Sequence, residues 1–307
     1  MTAIRQLAEV PETGTNVRTV RRRGLNPWGT PRFLWVVTIL YILWTIIPVV
    51  IAIQFSFNAG RSRSIWQGFS WRWYTEDAAS VLRDASLRLA LVQSVKLAVL
   101  TMVVATPIGV ALAIGLARWR GRAARASNAL MLFPLITPEI VMGVSLFFVF
   151  SQLYAIPFGT IAQFLGHVTF TISFVVIIVR GRLFAIGRQY EEAAMDLGAS
   201  PWQAMWRVLL PLLKPAIFAG FAIAFALSID DFVISQFLSS GASTQTIPVR
   251  LYSGARLAPP PSLNALATVL LLLTTAAVTV AGLVMRRYSR REGGTESAAE
   301  SLTRLEL

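Results

Sequence analysis

Residues 33–55 read FLWVVTILYILWTIIPVVIAIQF, an apolar run without a charged side chain. A transmembrane helix needs about 20 mostly apolar residues, because each residue rises about 1.5 Å through a hydrocarbon layer about 30 Å thick. The run therefore predicts a membrane-spanning helix. It is longer than the apolar core of a cleavable signal peptide, so we expect it to stay in the protein.

Five further apolar runs follow along the chain of 307 residues. Hydrophobic residues make up 55% of the sequence and charged residues only 14%, whereas soluble domains carry about 25% charged residues. A soluble globular fold is therefore excluded. We predict an all-α polytopic membrane protein with six transmembrane helices, the other five at residues 89–117, 129–150, 160–179, 216–238 and 265–285.

The basic residues lie mainly on one side of the predicted spans. Of the 28 Lys and Arg, 20 lie in the two terminal segments and in two connecting loops on their side, and seven lie on the opposite side. Cytoplasmic loops carry the excess of Lys and Arg, so we predict that both termini are cytoplasmic. Residues 1–32 and 292–307 are predicted to be disordered tails of a membrane domain at residues 33–291. The net charge of +13 is thus a topology signal that favours contact with anionic lipid, not with nucleic acid.

Several kinds of chemistry are excluded by composition. The chain has no cysteine and one histidine, His167, so thiolate metal sites and metal sites with several histidine ligands are not expected. We predict no catalytic residue and no metal site, and a hydrogen-bonded packing role for His167. Lys96 and Lys214 are the two lysines, and neither lies in a phosphate-binding loop. Any nucleotide hydrolysis is therefore assigned to another chain.

The loop at residues 190–211 reads YEEAAMDLGASPWQAMWRVLLP and predicts a helix, a turn and a second helix. Gly198 is placed to end the first helix in a left-handed conformation. Ser200 and Pro201 are typical of the cap and first position of the second helix, and Pro211 is expected to end it. The second helix carries an apolar stripe at helical spacing, formed by Trp202, Met205, Trp206 and Leu209.

This stripe fits two kinds of surface. A helix lying on the membrane would bury it against lipid, but such helices carry basic residues on the other face. Here Arg207 is nearly alone. A docking element for a cytoplasmic partner is therefore the favoured interpretation.

The same loop resembles a known family. Glu192-Ala193-Ala194, Gly198 and the final VLLP are similar to the signature of membrane subunits of bacterial binding-protein-dependent ABC importers, with valine where isoleucine is usual. The resemblance implies the type I importer permease fold, whose loop helix enters a groove on the ATPase. It further implies that Ala193, Ala194 and Gly198 allow close approach and that Glu192 makes polar contacts near the turn.

The resemblance also implies partners. These are a cytoplasmic ATPase dimer that binds ATP and Mg, a second and paralogous permease subunit, and an extracytoplasmic substrate-binding protein; this chain itself binds no cofactor. The residues implied in ATPase coupling are Glu192, Ala193, Ala194, Gly198, Ser200, Pro201, Trp202, Met205, Trp206 and Pro211.

Four more stretches are similar to permeases of spermidine/putrescine importers, namely residues 138–143, 228–235, 247–253 and 264–268. The resemblance covers about residues 87–285. It implies import of a small cation such as spermidine or putrescine across a bacterial inner membrane by alternating access. Related importers for iron, sulfate, molybdate, thiamine or opine-like compounds share the plan and remain alternatives.

Three acidic residues, Glu139, Asp230 and Asp231, fall inside predicted spans. A charge at that depth costs on the order of 3 kcal/mol, so each needs a partner, a cavity or a function. One hypothesis is that they line the translocation path and attract a cation. The alternative is a structural role, as a helix cap, in hydrogen bonds to Ser228 and Ser235, or in a pair with Lys96.

Pro134 and Pro138 are expected to kink the third span near its middle. With Gly143 they mark a gate or hinge, and simple kinked packing is the alternative. Residues 56–88 are rich in aromatic side chains that fit an interfacial belt or a docking surface: Trp66, Phe69, Trp71, Trp73 and Tyr74.

Two other classes of protein fit the sequence less well. A secondary transporter would couple transport within one chain, usually through internal repeats, and the six spans show no convincing repeat. An intramembrane enzyme would leave the loop signature unexplained. The sequence therefore favours a translocation subunit without catalysis of its own.

Overall fold

The computed structural model describes residues 32–303 except 63, 119–120 and 257–260, and it describes side chains between residues 33 and 287. The tail predicted at residues 1–32 lies outside the described residues but for its last residue. Two compact units divide the chain, residues 1–48 and 49–307. The first contains the start of a helix, and the packing below is that of the second.

Within the described residues, regular structure is helical apart from one isolated antiparallel bridge between Asn58 and Phe69. Short π turns at Arg72–Glu76, Val149–Leu153 and Met205–Leu209 and a 3₁₀ turn at Ala242–Thr244 interrupt or join the α-helices. The α-helices are α1 (Arg32–Ser56), α2 (Ala85–Arg118), α3 (Arg122–Ile136), α4 (Glu139–Phe148), α5 (Thr160–Ile186), α6 (Gln189–Asp196), α7 (Pro201–Ala204), α8 (Leu210–Asp230), α9 (Val233–Phe237), α10 (Ile247–Ala255) and α11 (Pro261–Thr303).

The helices match the predicted all-α membrane architecture. In the described part of the chain, five helices are long and apolar enough to cross a membrane, and α3 with α4 would add a sixth if this bent pair counts as one span. The five are Phe33–Ser56, Ala85–Arg118, Thr160–Ile186, Pro201–Asp230 and Pro261–Arg287.

Helices α2, α5 and α8 form the centre of the second unit. Val175 of α5 is fully buried between them. A Cβ atom on Gly109 of α2 would lie 2.7 Å from Val175 Cγ1, so the missing side chain is what lets the two helices approach. Small residues serve such contacts because apolar lipid gives helices little hydrophobic reason to associate.

The aromatic segment between α1 and α2 is folded, not merely laid along an interface. Trp73 is 1% exposed and belongs to a core cluster with residues of α2, α10 and α11. Its indole Nε1 donates a hydrogen bond to the Asn58 carbonyl at 2.6 Å. The predicted belt is therefore wrong for Trp73, whereas Trp66, Phe69 and Trp71 are exposed.

Asp77 forms hydrogen bonds within the segment between α1 and α2. Its carboxylate accepts hydrogen bonds from the Ala79 backbone N–H at 2.9 Å and from Arg72 Nε at 2.8 Å. The backbone donor and the Arg72 guanidinium lower the pKa of Asp77 below its ordinary value.

Helix α11 extends past the predicted span end at residue 285 and runs to Thr303. The sequence predicted a disordered tail from residue 292, and its backbone is helical as far as Thr303. Extending an existing helix fixes one residue per added hydrogen bond and needs no new nucleus, which explains why the polar segment continues the span.

Candidate functional site

The third predicted span is broken rather than kinked. Helices α3 and α4 meet at an angle of 109°. The break lies at Thr137, which is extended with ψ of 128° and precedes Pro138. A proline disfavours helical backbone at the residue before it, so the helix stops there. Pro134 lies inside α3 and Pro138 directly precedes α4.

The fifth predicted span is also broken, which corrects two expectations. Helix α8 ends at Asp230, and Asp231 is extended with ψ of 124° before the short helix α9 begins. A continuous helix over residues 216–238 is therefore wrong, as is the placement of both aspartates on one helix. A network of buried side chains around Asp231 lies at this break, and residue-by-residue hydropathy gave no sign of it.

Asp231 lies in a polar cluster among three helices. Its Oδ2 accepts the backbone N–H of Ser235 at 2.7 Å and lies 3.2 Å from His167 Nε2. His167 Nε2 also lies 3.0 Å from Ser235 Oγ, and its Nδ1 lies 2.7 Å from Ser228 Oγ. The imidazole thus joins α5 to α8 and α9. The expected hydrogen-bonded packing role of His167 is what its geometry shows.

Two glutamines extend the polar interior, and neither was predicted from the sequence. Gln93 of α2 donates to Gln163 Oε1 at 2.8 Å, and Gln163 Nε2 donates to the carbonyls of Ser235 and Thr244, each at 3.0 Å. The chain leading into α10 is tied down beside them, because Ser94 Oγ accepts the Ile247 N–H at 2.7 Å. Amide side chains inside otherwise apolar spans are the signal that could have found this network.

Helix α9 is wedged between α4 and α5. A Cβ atom on Gly143 of α4 would lie 2.7 Å from a ring carbon of Phe237, and one on Gly166 of α5 would lie 2.7 Å from Ile234. The two breaks therefore belong to one packed region. Gly143, predicted as part of a gate or hinge, touches the short helix that follows the aspartates.

An open cleft of about 630 Å³ lies at this region. The Phe232 and Tyr252 rings lie 4.7 Å apart there, and the Arg256 guanidinium lies 4.6 Å from the Tyr252 ring and is hydrogen-bonded to its hydroxyl. The lining residues are Ile140, Phe232, Val233, Gln236, Phe237, Gln245, Tyr252, Ser253 and Arg256.

The three predicted path acids have different surroundings. Glu139 is the exposed first residue of α4 and is followed by Ile140 of the cleft wall. Asp230 is exposed, whereas the Asp231 side chain is only 6% exposed. The side chain that faces the Asp231 carboxylate is that of His167, not that of Lys96. Hydrogen bonding at a break, one of the structural alternatives, describes Asp231 but not Asp230.

The second candidate site is the loop of α6 and α7. Helix α6 ends before Gly198, which has φ of +90°, a conformation that costs other residues about 1–2 kcal/mol. Ser200 caps α7 in a reciprocal capping box with Gln203, and Pro201 occupies the first turn. The predicted helix–turn–helix is therefore present, with the predicted turn residues in place.

The predicted end of the second loop helix at Pro211 is wrong. A helix runs from Pro201 to Asp230, through the π turn at Met205–Leu209. In this turn the Leu210 N–H reaches the Met205 carbonyl. The wider turn accommodates Pro211, which has no N–H and would clash in a regular α-helix. The loop and the span are thus one element.

The surface of this loop is apolar. The Trp202 and Trp206 rings are 65% and 54% exposed and lie 5.6 Å apart, and Leu197 is 90% exposed. Met205 is half-buried, whereas Leu209 is fully buried in the core. The predicted stripe is therefore split between a surface pair and a core residue.

Two adjacent glutamates of α6 also differ in their exposure. Glu192, with Ala193, is exposed. Glu191 is buried and accepts a hydrogen bond from Arg118 at the end of α2. The loop signature pointed to Glu192 and gave no sign of Glu191, because a pair formed with residue 118 has no local sequence signal. Among the described residues, no group of three His, Asp or Glu is placed to hold a metal ion.

Comparison with known sequences identifies what the chain is similar to. Residues 105–293 match the family described as binding-protein-dependent transport system inner membrane component. The chain is 36% identical over 248 residues to the spermidine/putrescine transport system permease protein PotC of Shigella flexneri, which covers 81% of this chain and 92% of that protein.

Two other relatives are similar over most of their length. The putrescine transport system permease protein PotI of Escherichia coli is 35% identical over 252 residues, covering 80% of this chain and 86% of the relative. The molybdenum transport system permease protein ModB of Mycobacterium bovis is 32% identical over 274 residues, covering 85% and 96%.

Solved structures share the fold. A chain of a bacterial ABC transporter involved in the import of the acidic polysaccharide alginate superimposes with a TM-score of 0.64 at 16% identity, covering 83% of this chain and 96% of that one. A chain of the MetNI methionine ABC transporter gives 0.54 at 17% identity, covering 66% and 98%.

Proposed function

The chain belongs to the family of inner membrane components of binding-protein-dependent transport systems, and from this premise we propose that it carries a polyamine such as spermidine or putrescine. It acts as a transmembrane permease subunit of an ATP-driven ABC importer and does no chemistry of its own. The proposed substrate class rests on the 36% identity to a spermidine/putrescine permease over most of both chains.

The broken region supplies groups suited to such a cation. Asp230 and Glu139 are exposed acids at the two breaks, and ammonium groups inside a membrane need anionic partners. The Phe232 ring adds an aromatic face, which attracts cations electrostatically. The cleft beside α4 and α9 is thus our proposed part of the translocation path.

The partners follow from the family. We assign the exposed surface of α6 and α7 to an ATPase dimer that binds ATP and Mg, with the loop and both termini on the cytoplasmic side, as the distribution of Lys and Arg indicates. A second permease, expected to be paralogous, completes the membrane domain. A substrate-binding protein docks on the other side of the inner membrane.

The coupling mechanism rests on one continuous helix. The helix Pro201–Asp230 has 30 residues, so it extends about 45 Å from the exposed tryptophans to the acid at its end. A displacement of Trp202 and Trp206 by the ATPase would move Asp230 without an intervening hinge. Alternating access would then arise from the tilting of this lever against α4, with the break at Pro138 as the gate or hinge.

Uptake by the assembled transporter tests the substrate. The chain is expressed with the ATPase, second permease and binding protein encoded beside it, in cells lacking other polyamine uptake, and labelled putrescine and spermidine are supplied. We expect saturable uptake, which unlabelled polyamine abolishes and molybdate leaves unchanged. Uptake of labelled molybdate without uptake of polyamine would instead favour an anionic substrate, as the name of the ModB relative indicates, with Arg256 as the cationic side chain among the residues that line the cleft.

A matched pair of variants tests the coupling surface in the same cells. Trp202→Ala with Trp206→Ala removes exposed aromatic area at the loop, and Leu272→Ala removes an equally exposed side chain on α11. Loss of ATPase co-purification and of uptake is expected only for the loop variant. Equal behaviour of the two would contradict the assignment of this surface.

A further inference from the structure

The two consecutive aspartates at the end of α8 differ in how fully their carboxylates are engaged. Asp230 is exposed. Asp231 accepts backbone N–H groups of Ser235 at 2.7 Å and Ile234 at 3.4 Å, which start α9 and have no partner within it. Its Oδ2 also faces His167 Nε2 at 3.2 Å. The Asp231 carboxylate is thus committed to protein groups.

His167 is committed in the same way. Its side chain is fully buried, and both ring nitrogens are used, Nδ1 toward Ser228 and Nε2 toward Asp231 and Ser235. Ser228 precedes the break and Ser235 follows it. A single imidazole on α5 therefore spans the break in the neighbouring element and fixes the position of α9 relative to α8.

A buried pair of this kind is a poor site for a passing substrate. Taking Asp231 away from His167 to bind an ammonium group would remove one partner of the buried Nε2 and would leave the first backbone N–H groups of α9 without their acceptor. Both losses are unfavourable for buried polar groups. Asp230 makes no such hydrogen bonds with the described residues. The neighbouring acids therefore suit different tasks.

We propose that Asp230 is the acid that contacts the substrate, and that His167 and Asp231 form a positioning pair that holds the break open so that Asp230 faces the path. The part that concerns Asp230 rests on the proposed function, because it requires a cationic substrate. The part that concerns the pair requires only the fold.

Transport kinetics of amide variants separate the two aspartates in the assembled transporter. For Asp230→Asn we expect an apparent KM for polyamine at least tenfold higher, with the amount of assembled transporter unchanged. For Asp231→Asn we expect at least a fivefold lower Vmax and less assembled transporter, with KM within twofold of the parent. Glu76→Gln removes an exposed acid between α1 and α2 and is expected to change neither. A selective rise of KM in Asp231→Asn alone would overturn the proposal.

Conservative replacements test the pair independently of the substrate. The Gln side-chain amide reaches the position of Nε2, and the Asn amide that of Nδ1. His167→Gln is therefore expected to retain more assembled transporter than His167→Asn. Each single variant lowers the amount of assembled transporter by a certain factor. The double variant His167→Gln with Asp231→Asn should lower this amount by a factor at least threefold smaller than the product of the two single factors. Strictly multiplicative losses would show that the two residues do not act as a pair.

Cysteine labelling gives a readout that a folding defect does not mimic. The chain has no cysteine, so Asp230→Cys and Ser228→Cys each introduce a single thiol in this subunit. A cationic thiosulfonate reagent is expected to modify residue 230 at least tenfold faster than residue 228, and polyamine should slow the reaction at 230. Equal rates would contradict the placement. If the rates differ and the kinetic coupling of His167 holds, but polyamine neither protects residue 230 nor is taken up by the parent transporter, then the positioning pair stands and the proposed substrate falls.

Discussion

Arg118, the last residue of α2, donates a hydrogen bond to Glu191 in the first turn of α6. The Glu191 side chain is 11% exposed and that of Arg118 is 41% exposed. This pair attaches the loop that carries the proposed ATPase surface to a membrane span other than the one it continues. Forces on the loop therefore reach two spans, α2 through the ion pair and α8 through the continuous helix.

We expect Glu191→Gln to uncouple the loop, because the amide no longer pairs with the Arg118 charge. Polyamine-stimulated ATP hydrolysis by the assembled transporter should fall several-fold. The reversed pair Arg118→Glu with Glu191→Arg should recover part of it. Glu192→Gln keeps the buried pair and should keep the thermal stability of the parent. Equal stability loss in both glutamate variants would contradict the distinction between them.

Gly198 is expected to tolerate no side chain, because its φ of +90° lies in the left-handed region. Gly198→Ala should destabilise the turn by about 1 kcal/mol, and Gly198→Arg should abolish co-purification of the ATPase. Gly115→Ala is the control, since nothing lies within 4 Å of a Cβ there. Retained ATPase in Gly198→Arg would argue against this turn as the contact.

Gly166 and Gly181 offer a matched test on one helix, α5. A Cβ on Gly166 would lie 2.7 Å from Ile234 and 2.9 Å from Leu238, whereas nothing lies within 4 Å of one on Gly181. Gly166→Ala should displace α9 and cost about 1–3 kcal/mol by overpacking. Thermal unfolding of the purified transporter should shift down for Gly166→Ala and not for Gly181→Ala. The reverse order would be incompatible with the wedged position of α9.

Pro138→Ala tests the gate or hinge. Without the proline ring, Thr137 is free to adopt helical backbone, so α3 and α4 are expected to sample a straighter arrangement. Transport should slow while assembly is preserved. Pro107→Ala changes a proline inside α2, which has no break, and should have a smaller effect on transport. Unchanged transport in Pro138→Ala would favour simple packing at the break.

The lowered pKa of Asp77 predicts that the stability of the segment before α2 depends on pH. Its pKa is lowered in the fold, from an ordinary value of 3.8, by the Ala79 N–H and by Arg72. The stabilisation of the fold by the ionised Asp77 carboxylate is therefore present above pH 3.8 and is lost as the pH falls through the lowered pKa. Asp77→Asn should lower the thermal midpoint of the purified transporter at pH 7, and the difference from the parent should shrink in acid. Glu76→Gln should match the parent throughout.

Much of the fold follows from local sequence. Apolar runs determined where helices cross the membrane, because length and hydropathy are properties of each segment. The turn at Gly198 and the cap at Ser200 were likewise predictable, since a left-handed glycine and a capping box depend on a few neighbouring residues. The break at Pro138 had a local cause, but its angle of 109° did not.

The sequence by itself thus determined the membrane class and the loop helices. Only the tertiary structure decided that α8 ends between Asp230 and Asp231, because the partner that fixes the break is His167, on another helix. The same holds for Glu191, whose partner lies on α2. Local propensity acts over a few residues, whereas the burial of a charge is decided by whatever group the fold brings beside it.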